Sequence, residues 1–201
     1  SKSSIEFVTV RHEQSAAFMA DAHYRTTGKM GVCFSTLGPG ATNMLTGIAS
    51  SWQERSAILA ISGQLSRDKH FKDSHQYVDL KSLYSNCTKE SFLVERVSDI
   101  QETFTKAVFS ATSETTGPVH VSVPVDLLSK KAERQSNKFL KEKNYEFKNS
   151  ALRCAKVINS AKNAAIIVGS SCSRSNAIDQ INQFVDKTGF PVFATFLGKG
   201  V

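Results

Sequence analysis

Phe7-Val8-Thr9-Val10-Arg11-His12-Glu13-Gln14 decides how the rest of the chain is read. Four apolar or β-branched residues run into a polar turn, and Gln14 to Ala22 then supplies helix formers, with Gly28 placed to stop the helix. The pattern predicts a strand that gives way to a helix, with Glu13 at the junction. In an open α/β sheet that junction lies at the mouth where ligands bind, beyond the carboxyl ends of the strands. Further along, Gly31 to Thr36 followed by Leu37-Gly38-Pro39-Gly40-Ala41-Thr42-Asn43 repeats the arrangement with a glycine-rich turn. A carboxylate and a glycine turn from adjacent crossovers can meet over one crevice.

Outward from these two junctions the chain keeps alternating. Ala41, Met44, Leu45, Ile48, Ala49 and Trp52 fall on one helical face. Ala57 to Ile61 is a short continuous apolar run, as expected of a strand buried on both sides. An irregular stretch follows, from Ser62 to about Tyr84, carrying Lys72-Asp73-Ser74-His75-Gln76. Ser91 to Glu95 reads as another strand, and Ser98 with Gln101 has the form of a capping box. Ile100, Phe104, Ala107, Val108 and Ala111 repeat at helical spacing up to Gly117-Pro118, and Val119 to Val125 returns as a strand. The expected fold is α/β: a doubly wound parallel sheet with helices on both faces.

Residues 129–148 are basic and poor in apolar side chains, and read as a linker. A second α/β pattern then begins: a helix marked by Leu152, Ala155 and Ile158, a strand from Ala164 to Gly169, a helix from Ile178 to Val185 ended by Gly189, and a strand from Pro191 to Phe196. The expected organisation is a first domain over 1–128 that lacks an opening strand and helix, the linker, and a truncated second α/β domain over 149–201.

Composition narrows the function. Of 201 residues, 40% are hydrophobic and 21% charged, an ordinary globular mixture. No apolar run approaches the roughly 20 residues of a membrane span, and no signal-peptide core is present. Cys33, Cys87, Cys154 and Cys172 form no C-x-x-C pair, so they read as reduced thiols in a cytoplasmic protein. The net charge of +7 gathers largely in the linker, without the arginine-rich helix or aromatic-interleaved sheet of a nucleic-acid binder. The expected partner is a small molecule, with neither nucleic acid nor membrane.

Taken by themselves, the motifs leave alternatives open. Gly38-Pro39-Gly40-Ala41-Thr42-Asn43 lacks the third glycine of a dinucleotide fingerprint and the Gly-Lys-Ser/Thr of a phosphate loop. It is either a tight structural turn or a rigid backbone presented to a flat ring. Glu13 either complements a helix dipole or serves a site. His75 and Gln76 sit in an irregular segment, as site residues or as an exposed loop.

The run Val10 to Ala22, then Thr27-Gly28-Lys29, then Thr36 to Asn43 closely resembles the acetolactate synthase-type enzymes that use thiamine diphosphate. Ile61-Ser62-Gly63-Gln64, Gly117 to Asp126 and Thr195 to Gly200 extend the resemblance over nearly the whole chain. It implies an N-terminal domain that binds the cofactor's aminopyrimidine, joined to the start of a central domain. It also implies that Glu13 hydrogen-bonds the pyrimidine N1′, activating the cofactor for C–C bond chemistry on a 2-oxo acid. Pro39, Gly40 and Asn43 would line or shape the pyrimidine pocket, and His75 and Gln76 would handle the substrate or intermediate. Magnesium would be held by a C-terminal domain whose G-D-G…N signature does not occur in these residues, so the chain alone is expected to be inactive. The family implies a homodimer or homotetramer with the active site between subunits. A flavin in the central domain is possible but has no support in the residues.

At Asp73-Ser74-His75-Gln76 the family more commonly has Phe-Gln. The Asp-x-His-Gln form resembles carboxyethylarginine synthase, which joins a three-carbon unit from glyceraldehyde 3-phosphate to arginine. Histidine can shuttle a proton where phenylalanine cannot. A non-catalytic paralogue or regulatory fragment is the reading from another class, and retention of Glu13 argues against it.

Overall fold

A computed structural model describes residues 4–71, 73–133, 148–174 and 177–199. The chain divides into two compact units, 1–142 and 143–201.

In the first unit, β1 (Gly31–Ser35), β2 (Ile58–Gln64), β3 (Ser91–Leu93) and β4 (Val119–Pro124) form one parallel sheet in the order β1-β2-β4-β3. The helices are α1 (Glu13–Thr27), α2 (Pro39–Glu54), α3 (Leu80–Ser85), α4 (Ile100–Thr112) and the short α5 (Val125–Leu128). Strand register alternates side chains between faces, and two apolar clusters result. Cys33, Ile58 and Ala60 meet Ala17 and Ala20 of α1, Ala41, Met44 and Ile48 of α2, and Leu80 and Tyr84 of α3. Leu59, Val119, Val121 and Val123 meet Ala107 and Ala111 of α4 and Leu127 of α5. The sheet is therefore wound on both faces, as the alternating pattern implied.

The stop signal of α1 acts as read, whereas the apolar stripe of α2 and the cap of α4 differ in part from the reading. Gly28 closes α1 in the left-handed conformation, its N–H donating to the Tyr24 carbonyl. On α2, Ala41, Met44 and Ile48 are fully buried, while Trp52 is 38% exposed and leaves the buried stripe. Asp99 occupies the cap position of α4, and Ser98 stands one residue earlier, in a 3-10 turn over Val97–Asp99.

Three readings need correction. Phe7 to Val10 is not a strand: it belongs to no sheet, and Phe7 and Val8 are exposed. An apolar run becomes a strand only where a ladder partner takes its N–H and C=O groups, and among the described residues β1 pairs with β2 alone. The strand read as Ala57 to Ile61 continues to Gln64, because Ser62, Gly63 and Gln64 pair with Ser122, Val123 and Pro124. The irregular stretch up to Tyr84 contains the helix α3, which Asp79 caps by accepting from the Ser82 N–H.

In the second unit, α6 (Lys148–Ser160), β5 (Ile166–Val168), α7 (Ser171–Arg174), α8 (Ile178–Thr188) and β6 (Val192–Ala194) follow in order. β5 and β6 pair in parallel, and Gly189 ends α8 in the left-handed conformation. Lys148, read as linker, opens α6; Lys138, Lys141 and Lys143 lie outside the described residues. Val168 is buried, but Leu152, Val157, Ile167 and Phe193 are exposed, since two strands and their helices offer too little surface to cover one another.

No helix among the described residues is long and apolar enough to cross a membrane. Cys33 is buried, which pushes its thiol up to about 12 and keeps it protonated.

Candidate pyrimidine-binding site

The site is built at the carboxyl edge of the sheet, where the loops after β1 and β2 meet the start of α1. Glu13 is the first residue of α1, and His12 caps that helix, its Nδ1 accepting from the Gln14 N–H at 3.2 Å. Asn43 lies on α2 one turn beyond Pro39. Its Nδ2 donates to Glu13 Oε2 at 3.2 Å. Asn43 is the hydrogen-bond partner of that carboxylate among the described residues, and Oε1 is left open.

The glycines explain how two helix starts come so close. Gly38 has φ 53° and ψ −115°, a conformation that a Cβ disfavours. A Cβ there would also lie 2.5 Å from the Gln76 carbonyl oxygen. At Gly40 a Cβ would lie 2.6 Å from Thr36 Cγ2 and 3.1 Å from Glu13 Oε1. Its absence leaves flat backbone beside the open carboxylate oxygen. Pro39 needs no N–H at the first helical position and stands exposed. The Thr42 N–H donates to the Gly38 carbonyl at 3.0 Å, closing the turn.

The structure thus brings together Glu13, Gly40 and Asn43, with Pro39 beside them and Gln76 reaching the Gly38 turn through its backbone. Gln76 itself has φ 59°, uncommon for a residue with a Cβ. The side chain of His75 is exposed and makes no hydrogen bond among the described residues. The segment carrying these two is tied down from several sides. Buried Gln64 donates from Nε2 to the Val78 carbonyl at 2.9 Å and accepts the Leu65 N–H at 2.9 Å. The His70 Nε2 lies 2.7 Å from the Leu65 carbonyl oxygen and its ring stacks on Tyr77. Arg67 meets Asp126 at 2.8 Å and also donates to the Glu95 carbonyl, and its hydrogen bonds hold the Asp126 carboxyl below the ordinary range.

Sequence reading missed Thr36, Gln64 and the Arg67–Asp126 pair. Gln64 carried one signal, a polar side chain closing an apolar strand run; the other two depend on residues distant in sequence. Among the described residues no group of three or more His, Cys, Asp or Glu side chains is arranged to hold a metal ion.

Fold and site together define an α/β domain with a carboxylate and a glycine-lined surface side by side at the mouth of its parallel sheet. The thiamine pyrophosphate enzyme N-terminal TPP binding domain matches residues 1–83, and the central domain of the same enzymes matches residues 152–201. The chain is 34% identical over 208 residues to the acetolactate synthase large subunit of Buchnera aphidicola subsp. Schizaphis graminum, covering 98% of this chain and 36% of that protein. It is 34% identical over 205 residues to the chloroplastic acetolactate synthase of Arabidopsis thaliana, covering 98% of this chain and 30% of that protein. With the isozyme 2 large subunit of Escherichia coli K12 it shares 32% over 197 residues, 98% of this chain and 36% of the relative. The chain spans about a third of the length of these relatives. The chain thus carries matches to the N-terminal and central domains of the thiamine pyrophosphate enzymes and is acetolactate synthase-like over nearly its whole length.

Proposed function

We propose that the protein is a thiamine diphosphate-dependent carboligase or decarboxylase acting on a 2-oxo acid, and that residues 1–128 bind the aminopyrimidine. The observation that carries this is the Glu13 carboxylate held on one oxygen by Asn43 and open on the other beside Gly40. The residues fit the ring: Gly40 leaves room for a flat heterocycle, and Oε1 can accept a hydrogen bond from a ring N–H. When bound, the cofactor supplies an acidic carbon that, once deprotonated, adds to a carbonyl. Glu13 would hold a proton at the pyrimidine N1′, so that the ring's exocyclic nitrogen can serve as a base. Asn43 would orient the carboxylate, Gly38 and Pro39 would fix the edge of the pocket, and His75 and Gln76 would face the substrate.

Magnesium and the diphosphate would be bound by another domain, residues 1–201 alone would be inactive, and the whole protein would be a cytoplasmic homodimer or homotetramer. A flavin has no residue here to argue for it. The histidine in Asp73-Ser74-His75-Gln76 favours a second acceptor chemistry, transfer from glyceraldehyde 3-phosphate to arginine. A donor and acceptor screen of the full-length protein separates the readings. Turnover of pyruvate supports the first, and turnover of glyceraldehyde 3-phosphate with arginine the second. No cofactor-dependent reaction, together with unchanged behaviour of Glu13→Gln in calorimetry with thiamine diphosphate, would leave a non-catalytic paralogue.

A further inference from the structure

Beneath the site lies a buried polar stack that the proposed chemistry does not use. His120 on β4 is fully buried. Its two ring nitrogens each meet a serine hydroxyl at 2.9 Å, Nε2 that of Ser62 on β2 and Nδ1 that of Ser91 on β3. These are the strands on either side of β4, so the imidazole is pinned to the sheet from both directions. The Tyr84 ring lies on it, centroids 3.9 Å apart and planes 12° from parallel. Tyr84 is itself fully buried, and its O–H donates to the Ala41 carbonyl at 2.6 Å.

Ala41 sits between Gly40 and Asn43 in the first turn of α2. Within the turn the Thr42 N–H and hydroxyl donate to the Gly38 and Pro39 carbonyls, each at 3.0 Å. Its cap, Gly38, makes no side-chain capping bond and Pro39 has no N–H to give, so Tyr84 supplies a tie from outside the helix. The Tyr84 hydroxyl therefore ties the sheet to the turn that carries Asn43. A core-filling ring would need only apolar neighbours, whereas this hydroxyl is aimed at one carbonyl on the site helix.

We infer that Tyr84 is a positioning residue, its hydroxyl anchoring the first turn of α2 so that the Asn43 amide stays on the Glu13 carboxylate. The inference rests on the reading of Glu13 as the cofactor's carboxylate. Without the anchor the turn can shift, and displacement of a site by about 1 Å costs about a hundredfold in rate.

The test uses the full-length protein with Tyr84→Phe, which keeps the ring on His120 and removes only the hydroxyl. The control is Tyr24→Phe, which removes a buried hydroxyl whose partner, Thr116 Oγ1, donates to the Arg55 carbonyl at the C-terminal end of α2, away from its first turn. Measurements are the urea midpoint, the dissociation constant for thiamine diphosphate with magnesium from tryptophan fluorescence, and kcat and KM for pyruvate. Both variants are expected to lower the midpoint similarly. Tyr84→Phe alone is expected to weaken cofactor binding about fivefold and lower kcat about tenfold, with KM for pyruvate within about twofold. In an Asn43→Ala background, adding Tyr84→Phe is expected to change either quantity by less than about twofold, because the two act through one bond. Cofactor binding and kcat that follow the Tyr24→Phe control, or a Tyr84→Phe effect that persists undiminished without Asn43, would overturn the inference. A Glu13→Gln enzyme as active as wild type would instead overturn the reading beneath it.

Discussion

Replacing Gly40 by alanine should separate the site from the fold. The added Cβ would lie 2.6 Å from Thr36 Cγ2 and 3.1 Å from Glu13 Oε1. Thr36 is exposed, so it can turn aside at a rotamer cost of about 0.5–1.5 kcal/mol. Alanine in place of glycine inside a helix returns about 1 kcal/mol. Net stability should therefore change by no more than about 1 kcal/mol. The carboxylate has less freedom. It must retreat by a few tenths of an ångström, and its bond from Asn43, at 3.2 Å, already stands at the long end of the normal range. A displacement of that size together with a weakened charge-assisted bond should lower kcat/KM for the cofactor-dependent reaction about tenfold. Steady-state kinetics and urea unfolding of the full-length protein give both numbers. Adding Thr36→Ser to Gly40→Ala removes the first clash, so stability should recover while activity stays low. Activity within about twofold of wild type, or an activity loss reversed by Thr36→Ser, would refute the reasoning.

Gly47→Ala, one helical stretch further along α2, should do the opposite. Its Cβ would lie 2.5 Å from Ala17 Cβ, where α1 and α2 pack, and urea unfolding should show a loss of about 2 kcal/mol with kcat per folded enzyme little changed. Gln64→Leu strands the Leu65 N–H and leaves the Val78 carbonyl with the Leu80 N–H alone, and should cost about 1 kcal/mol in the same assay. Burial pushes His120 down to about 3, against about 6.5 in the unfolded chain. The unfolded state thus takes up a proton that the native state refuses, and this contribution to stability is present above about pH 6.5 and drains as pH falls toward 3, by up to about 1.4 kcal/mol per unit. The urea midpoint should fall between pH 7 and 5 in wild type and more shallowly in His120→Gln; parallel curves would contradict it.

What could be read without coordinates was local. Gly28 and Gly189 stop their helices because a left-handed residue is written into the sequence as glycine. The buried stripe Ala41, Met44 and Ile48 follows from helical period alone. Gly40 and Asn43 stood out because they open a helix directly after a strand, and Glu13 because it opens a helix after an apolar run; their joint role was read from the resemblance to the acetolactate synthase-type enzymes. Apart from α3, whose Asp79 cap is local, the misses involve partners far along the chain. Phe7 to Val10 has strand composition but joins no sheet, and β2 runs on to Gln64 only because β4 offers a match. Thr36 behind Gly40, the Arg67–Asp126 pair and the Tyr84–His120 stack depend on which crossovers the sheet order makes neighbours, and periodicity does not carry that order.

The most direct test of Glu13 as the cofactor's carboxylate is the exchange rate of the C2 proton of thiamine diphosphate bound to the full-length protein, followed by quenched-flow and proton NMR. Glu13→Gln keeps the side chain's shape and removes its charge. The exchange rate should fall by about 10²–10⁴, while the cofactor still binds, more weakly than in wild type. Exchange in Glu13→Gln as fast as in wild type would contradict the assignment of that carboxylate to the pyrimidine nitrogen.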